Sequence, residues 1–239
     1  MTEYTSRAGE PADAVSVAGW ATQPRAVFNQ PVDIETFRRA FCGQSRVSAA
    51  VKRGFDVVLA ALLLLLLSPI FVLTAAVLAL HLRRHPIFAH QRVGREGMIF
   101  KCLKFRTMRD ASAGEEGVED LSFKAGTDTR TTRLTRLIRR TSLDELPQLI
   151  NVLTGDMSLV GPRPVVPNEL HMWFGSLAGL LITVRPGMTG LWAVSGRSSV
   201  EYPGRAFIEL QYVTRASLWL DLRILARTLS TILSGRGAI

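Results

Sequence analysis

The sequence contains few of the side chains that build disulfide frameworks and zinc sites. Its 239 residues include two cysteines, Cys42 and Cys102, and four scattered histidines, and the cysteines do not form a CxxC pair. Structural zinc sites need four closely spaced ligands, and small secreted domains need several cysteines. We therefore predict neither, and the low cysteine content favours a reducing, cytosol-facing environment.

A secretory signal peptide and internal repeats are also absent from the sequence. No charged N-terminal segment is followed directly by an apolar stretch and a cleavage site. Residues 1–48 are small and polar, contain several prolines and show no periodicity. This composition predicts a flexible leader rather than a packed domain.

Apolar and basic residues, in contrast, are abundant. The chain is 47% hydrophobic and carries a formal net charge of +9, which favours a membrane surface or a polyanionic partner. A nucleic acid is one such partner, but the most basic predicted helix has no aromatic residues among its arginines. We therefore do not expect nucleic-acid binding.

Residues 57–80 form an apolar run that is long enough to cross a bilayer, yet Ser68 and Pro69 lie within it. Proline lacks a backbone N–H group and clashes with the carbonyl group four residues earlier, so a straight helix is not expected here. The Ser68 hydroxyl group can hydrogen-bond a carbonyl group that the bend releases.

Basic residues stand at both ends of this run, Lys52 and Arg53 before it and Arg83 and Arg84 after it. Because basic residues mark the cytoplasmic side of membrane segments, both ends are predicted to be cytoplasmic. This arrangement fits a re-entrant helix over residues 49–84. An ordinary transmembrane helix with a proline kink is the alternative.

The segments IFAHQRVG and MIFKCLKFRTM alternate loosely between apolar and polar residues, which predicts a short hairpin turned around Gly94 and Gly97. Three basic residues of this hairpin are either phosphate ligands or a solvated strand face. They are Lys101, Lys104 and Arg106.

Four arginines recur at helical spacing with Leu134, Leu137 and Ile138 on another face, which predicts an amphipathic helix. They are Arg133, Arg136, Arg139 and Arg140. Such an arginine stripe suits anionic lipid headgroups or a diphosphate.

Asp144 and Glu145 follow this helix, and two interpretations of the pair remain open. Ser142 and Glu145 match a capping box, so both carboxylates could simply stabilise a helix N-terminus. However, Pro147 fits better if the helix starts near Asp144. Carboxylates beside arginines, including Arg163 of the GPRP motif, would also suit phosphate oxygens and a divalent cation.

The C-terminal stretch ASLWLDLRILARTLSTIL predicts an amphipathic helix that lies at a membrane interface, where Trp219 would be favoured. A core helix is the alternative. The predicted apolar face consists of Leu218, Leu222, Leu225, Leu229 and Ile232.

Several long motifs occur in order: KRGFD, LLLSP, FAHQRVGREG, KFRTM, TSLDELPQLINVLTGDMSLVGPRP, VRPGMTGLW and VSGRSS. This order resembles the bacterial sugar transferase family, the monotopic polyprenyl-phosphate phosphoglycosyl transferases, over residues 50–235. The resemblance implies transfer of a hexose phosphate from a UDP-sugar to undecaprenyl phosphate, as the first step of exopolysaccharide or other glycoconjugate synthesis.

In that family an Asp-Glu dyad carries the reaction, and it corresponds here to Asp144 and Glu145. The resemblance implies that Asp144 is the nucleophile, which takes up the phosphosugar and releases UMP. It also implies a Mg²⁺ ion beside the dyad, with Asp144 and Glu145 as its ligands. Glu145 is expected to support the metal and the dyad.

The resemblance further implies that Arg106, Arg139 and Arg163 bind substrate phosphate. It assigns Ser68 and Pro69 to a re-entrant bend, and it implies lipid contact at the cytoplasmic face of the bacterial inner membrane. Two residues depart from the family pattern, His85 for the usual glycine and Ala193 for the usual glutamine. Ala193 puts the identity of the donor sugar in doubt.

The predicted fold is α+β and mainly helical. We expect a flexible leader over 1–48, a re-entrant membrane helix over 49–84 and a cytosolic catalytic domain over 85–239 that ends in an interfacial helix. The sequence does not specify the transferred sugar or the oligomeric state. A non-enzymatic scaffold, in which Asp144 and Glu145 only cap a helix, is the competing class.

Overall fold

The computed structural model describes residues 46–108, 132–196 and 200–234, so nearly all of the predicted leader and Cys42 lie outside the described residues. The α-helices are α1 (Arg46–Leu66), α2 (Ser68–Leu82), α3 (Arg133–Arg140), α4 (Gln148–Thr154), α5 (Pro167–Glu169), α6 (Ala178–Leu181), α7 (Leu191–Val194), α8 (Gly204–Arg215) and α9 (Leu218–Ser234). The strands are β1 (Ile87–Val93), β2 (Ile99–Phe105), β3 (Ser158–Val160) and β4 (Gly187–Thr189). The predicted α+β, mainly helical class is confirmed.

Helices α1 and α2 meet at a bend of 63°. Pro69 lies in the first turn of α2, where a helix needs no N–H donor. The hydroxyl group of Ser68 donates to the carbonyl oxygen of Leu65 at 2.8 Å. The predicted bend at Ser68 and Pro69, and the hydrogen bond expected there, are both confirmed.

Across the three described segments, no single helix combines the length and the apolar character needed to cross a bilayer. The bent pair of α1 and α2 meets both requirements only when its two helices are taken together, on length and composition alone.

Polar side chains of α1 fix this helix to the rest of the protein. Lys52 Nζ contacts the buried carboxylate of Asp221 at 2.6 Å. Arg53 donates to a carbonyl oxygen at the C-terminus of α4 at 2.6 Å, and the buried carboxylate of Asp56 accepts from the Ser158 hydroxyl group at 2.8 Å. Because Lys52 and Arg53 have partners within the protein, their position does not by itself mark a membrane boundary.

Strands β1 and β2 form the predicted antiparallel hairpin, with His90 opposite Cys102. Gly97 has a left-handed backbone, with φ at 77°, in the turn that joins them. The prediction of a hairpin turned around Gly94 and Gly97 is therefore confirmed.

Asn151 joins the hairpin to α4. Its Oδ1 accepts from the Leu103 N–H group and its Nδ2 donates to the Lys101 carbonyl group, each at 2.9 Å. The buried amide thus pairs with β2 as a neighbouring strand would, and it sets how the turn before α4 faces this strand.

The short parallel strands β3 and β4 hold the GPRP loop in place. A Cβ atom at Gly187 would overlap the backbone nitrogen of Gly161. The two backbone segments can therefore lie this close only because position 187 is a glycine. Gly161 begins the GPRP motif, and the contact therefore fixes the start of that loop.

Helix α9 buries one side against the core and leaves part of its predicted apolar face exposed. Ile224 is buried, whereas Leu222 and Leu229 are 41% and 59% exposed. Trp219 is exposed next to them, and the side chain of Ile232 lies outside the described residues. The helix is amphipathic as predicted, but part of its predicted apolar face is turned away from the protein.

Replacing Asn151 with alanine should destabilise the fold, because two backbone groups of β2 would lose their partner. We expect a loss of about 2 kcal/mol, which corresponds to a fall in Tm of roughly 4–8 °C in a domain of this size. Thermal unfolding of the detergent-solubilised protein, followed by circular dichroism, measures the change. Lys101→Ala, on the exposed strand face, is the matched control, and equal Tm values for the two variants would contradict the assignment.

Candidate active site

Asp144 and Glu145, hereafter the dyad, lie in a 3₁₀ turn, Leu143–Glu145, that precedes α4. The capping box, one of the two interpretations that the sequence leaves open, does not form: Ser142 has a left-handed backbone, with φ at 56°, and its side chain makes no capping hydrogen bond. Pro147 is the N-cap residue of α4, so the helix begins beyond the dyad and not near Asp144. The physical reason is the proline, which cannot lie deeper within a helix. Capping therefore does not explain the two carboxylates.

Lys104 on β2 forms an ion pair with the dyad. Its Nζ lies 2.9 Å from Oε1 of Glu145, and both side chains are a little over one third exposed. Burial alone would lower the pKa of Lys104. The nearby carboxylates, of which Glu145 has the larger effect and Asp144 the smaller, outweigh burial and raise the pKa. Lys104 is thus held in its charged form beside the dyad.

From the sequence alone Lys104 is either a phosphate ligand or a solvated strand residue, and it is not among the predicted site residues. The spacing between Lys101 and Lys104 indicates that only one of them faces solvent, because residues three apart on a strand point to opposite faces of the sheet. Lys101 is exposed, and Lys104 is partly buried. The packing of α4 against β2 decides which face of the strand is buried, and the sequence does not show this packing.

The carboxyl group of Asp144 is poised between two protonation states at neutral pH. Burial and the neighbouring charge of Glu145 raise its pKa to about 7, although Lys104 and Arg139 act to lower it. An Asp-Glu pair in a partly buried turn resists ionisation of both members. A further cation at this point would favour the ionised form of Asp144.

Helix α3 forms as predicted and places its arginines unequally. Arg139 is partly buried, and its charge acts on Asp144. Arg133, Arg136 and Arg140 are exposed. The arginine stripe therefore supplies one guanidinium group to the dyad and presents three to the surroundings.

The other two predicted phosphate ligands, Arg106 and Arg163, each lie against an aromatic ring. The Nε atom of Arg106 donates to the carbonyl oxygen of His85 at 3.3 Å, and its guanidinium group lies over the Phe88 ring at 5.3 Å. Arg163 lies 5.6 Å from the ring centroid of Trp192. The phosphate-binding roles of Arg106 and Arg163 stay predictions.

The dyad suits Mg²⁺ better than zinc. Within the described residues no group of three or more histidine, cysteine or acidic side chains could hold a metal ion. Mg²⁺ is commonly held by one or two carboxylates together with water and substrate phosphates, and Asp144 and Glu145 supply two adjacent carboxylates. Their oxygen ligands therefore fit the magnesium ion that the family resemblance implies.

The chain is similar to known proteins over most of its length. A family described as Bacterial sugar transferase matches residues 47–235. The chain is 40% identical over 205 residues to the exopolysaccharide production protein ExoY of Rhizobium meliloti. The aligned region covers 80% of this chain and 89% of that relative.

Two longer relatives are also similar to the chain. It is 44% identical to a UDP-galactose-lipid carrier transferase of Erwinia amylovora, over 80% of this chain. It is 43% identical to an undecaprenyl-phosphate galactose phosphotransferase of Salmonella typhimurium, over 81% of this chain. The matched region spans 42% of the length of each of these two relatives.

Replacing Asp144 with asparagine should stabilise the protein at pH 8. The folded pKa of about 7 lies above 3.8, the ordinary value of an aspartate side chain, so ionisation of Asp144 destabilises the fold progressively as pH rises between these values. We expect a gain of roughly 1–2 kcal/mol at pH 8 that shrinks toward pH 4. Thermal unfolding across this pH range measures it.

Asp156→Asn is the matched control, because the Asp156 carboxylate accepts a hydrogen bond from Thr154 at 2.8 Å and its neutralisation should bring no gain. A Tm difference between wild type and Asp144→Asn that does not vary with pH would refute the raised pKa.

Proposed function

The chain belongs to the bacterial sugar transferase family, and from that premise we propose that it transfers a hexose phosphate from a UDP-sugar to undecaprenyl phosphate. Membership of this family makes it an enzyme, a sugar-phosphate transferase. The names of the Erwinia and Salmonella relatives support the lipid acceptor and a hexose donor. The transfer would begin exopolysaccharide or other glycoconjugate synthesis.

The observation that carries this proposal is the setting of Asp144, a carboxyl group with a pKa of about 7 under the influence of Lys104 and Arg139. A carboxylate approaches a diphosphate only if the charges of both are offset. These two cations offset part of that charge, and they lie on separate elements, β2 and α3. The site is therefore preorganised for an anionic substrate.

In the first step, an ionised oxygen of Asp144 attacks the phosphorus atom that bears the sugar. The bond from that phosphorus to the bridging oxygen breaks, and UMP leaves with the electron pair. The sugar phosphate stays on Asp144 as an acyl phosphate. Nucleophilic catalysis of this kind divides one transfer between two bulky substrates into two smaller steps.

In the second step, a phosphate oxygen of undecaprenyl phosphate attacks the same phosphorus atom. The Asp144–phosphorus bond breaks, and the carboxylate is regenerated as the lipid-linked diphosphate sugar forms. Because UMP leaves before the lipid reacts, the kinetics should be of the ping-pong type.

Asp144 and Glu145 would hold Mg²⁺ together with the diphosphate oxygens, and the bound ion supplies charge neutralisation. Glu145 keeps its orientation through the ion pair with Lys104, at 2.9 Å. This contact supports the assignment of Glu145 to the dyad rather than to a helix cap. Arg139 is the phosphate ligand with the strongest structural support, because its charge acts directly on Asp144.

The bent pair would bring this site to the lipid. Leu78 of α2 is fully buried in a cluster with Phe105 and Ile138, against which Leu143 and Leu146 of the dyad turn region pack. Large apolar side chains on the outside of the bent pair are exposed. They include Leu62, Leu65, Leu66, Ile70, Val72, Leu73 and Leu80.

These contacts support a re-entrant pair that dips into the cytoplasmic leaflet of the bacterial inner membrane, with the dyad at the lipid boundary. An exposed apolar surface of this extent suits hydrocarbon better than water. The exposed residues of α9, Trp219, Leu222 and Leu229, would lie at the same interface.

Wild-type protein incubated with Mg²⁺ and a UDP-hexose, but without lipid, should gain the mass of one hexose phosphate and release one UMP per chain. UDP-galactose and UDP-glucose are the first donors to test, by intact-protein mass spectrometry and nucleotide analysis. Asp144→Asn should show neither product, because an amide is not a nucleophile of this kind. Asp156→Asn, which is outside the dyad, should retain both. UMP release that needs the lipid and leaves no adduct would exclude the covalent route.

Cysteines at positions 49 and 84 should both react from the cytoplasmic side. Ala49 and Arg84 are exposed at the outer ends of the bent pair, and a re-entrant pair keeps both ends on one side of the membrane. With Cys42 replaced by serine, a membrane-impermeant maleimide should label both sites in inside-out vesicles and neither in spheroplasts. Opposite labelling of the two positions would show a transmembrane kink instead.

A further inference from the structure

A second cluster of buried polar groups, apart from the dyad, lacks hydrogen-bond partners. Glu209 is 2% exposed and Arg205 is 9% exposed, and both lie on α8. Among the described residues, no complete hydrogen bond reaches either carboxylate oxygen of Glu209, although the backbone N–H group of Arg163 is close enough to lower its pKa. Nε and Nη2 of Arg205 and Nε1 of Trp192 have no partner there. We call these three residues the Glu209 cluster.

Aromatic rings enclose this cluster. The guanidinium group of Arg205 lies 3.7 Å from the ring centroid of Trp192 and 5.4 Å from that of Tyr202. Trp173 stacks on Tyr202 with centroids 4.7 Å apart and ring planes 8° from parallel. Trp173 is 39% exposed, so the aromatic surface reaches the outside of the protein.

Leaving these groups unpaired is unfavourable for the folded protein. Burial raises the pKa of Glu209 to about 7 and lowers the pKa of Arg205 to about 10. The two residues are one helical turn apart, yet no ion pair joins them among the described contacts. Native proteins rarely leave so many buried donors and acceptors unsatisfied together. The missing partner is therefore a polar molecule that can both donate and accept hydrogen bonds.

Adjacent hydroxyl groups of a sugar ring have this chemistry. Two hydroxyl groups can donate to one carboxylate and accept from a guanidinium and an indole N–H group. The C–H face of the ring packs against aromatic side chains. A simple anion would satisfy Arg205 but would be repelled by the Glu209 carboxylate.

We infer that the Glu209 cluster binds a sugar ring of the donor nucleotide through neighbouring hydroxyl groups. The inference rests on the proposed function for the presence of a UDP-sugar. It assigns Glu209 as the hydroxyl acceptor and Arg205 and Trp192 as donors. Tyr202 and Trp173 form the aromatic surface.

The GPRP loop links this cluster to the dyad. Arg163 lies 5.6 Å from the Trp192 centroid, and its charge acts on the Cys102 thiol group, as do those of Lys104 and Glu145. A phosphate near Arg163 would thus have the dyad region on one side and the Glu209 cluster on the other. Ala193, the departure from the family pattern, directly follows Trp192 in α7.

Two rings of the donor carry neighbouring hydroxyl groups, the hexose and the ribose. UMP contains the ribose without the hexose, so a comparison of UMP with a UDP-hexose separates the two sources. The probes are UDP-galactose, UDP-glucose and UMP, each titrated calorimetrically without lipid acceptor. All variants carry Asp144→Asn, so that the titration measures binding and not transfer.

Glu209→Gln should raise the Kd of UDP-galactose or UDP-glucose about tenfold, the usual effect of losing hydrogen bonds to a charged group. Arg205→Lys should act in the same direction, because lysine lacks the guanidinium fork. Arg215→Lys, exposed on the same helix, is the matched control and should leave every Kd unchanged. An unchanged Kd for UMP assigns the cluster to the hexose, and an equal rise assigns it to the ribose.

Kd values that stay within about twofold of the parent in both Glu209→Gln and Arg205→Lys would overturn the inference, whether or not Tm falls. Failure of the parent to bind any probe would overturn it as well. Wild-type UMP release is assayed separately. Its absence would refute the proposed function, whereas the binding titrations would still test the cluster.

Discussion

The burial of two adjacent carboxylates in one turn is the constraint around which this site is organised. Burial, and after it the neighbouring charge of Glu145, raises the pKa of Asp144 to about 7. Lys104 and Arg139 limit this effect from two different elements. The same positive charges that make the dyad tolerable in the folded protein suit it to a diphosphate. Stability and function therefore depend here on the same contacts.

Polar contacts from distant parts of the chain keep the dyad at its position. Asn151 attaches α4 to β2, which brings Lys104 to Glu145. Arg53 of α1 binds carbonyl groups near the C-terminus of α4. The short helix behind the dyad is thus held at its middle by the hairpin and near its C-terminus by the bent pair. This coupling explains how an apolar helix pair and a charged site form one folded unit.

Sequence reasoning identified much of this arrangement. The bend at Ser68, the hairpin and the arginine helix were predicted from local rules, and all three are present. The expected helix start near Asp144 was wrong, because Pro147 moves the start of α4 beyond the dyad, and the alternative capping box does not form either. The contact of Lys52 with Asp221, which lies far along the chain, could not be predicted from local rules. Patterns within one element do not show which distant element will contact it.

By itself, the sequence determined the helical periods, the proline bend, the hairpin and the motif order that identifies the family. These features depend on neighbours within a few residues, where backbone geometry leaves few choices. Only the tertiary structure decided that Lys104 pairs with Glu145, that part of the leucine face of α9 is exposed, and that Glu209 is buried beside Arg205 without an ion pair between them. Each of these depends on which surfaces meet when the elements pack, and burial and partner charge are properties of that packing.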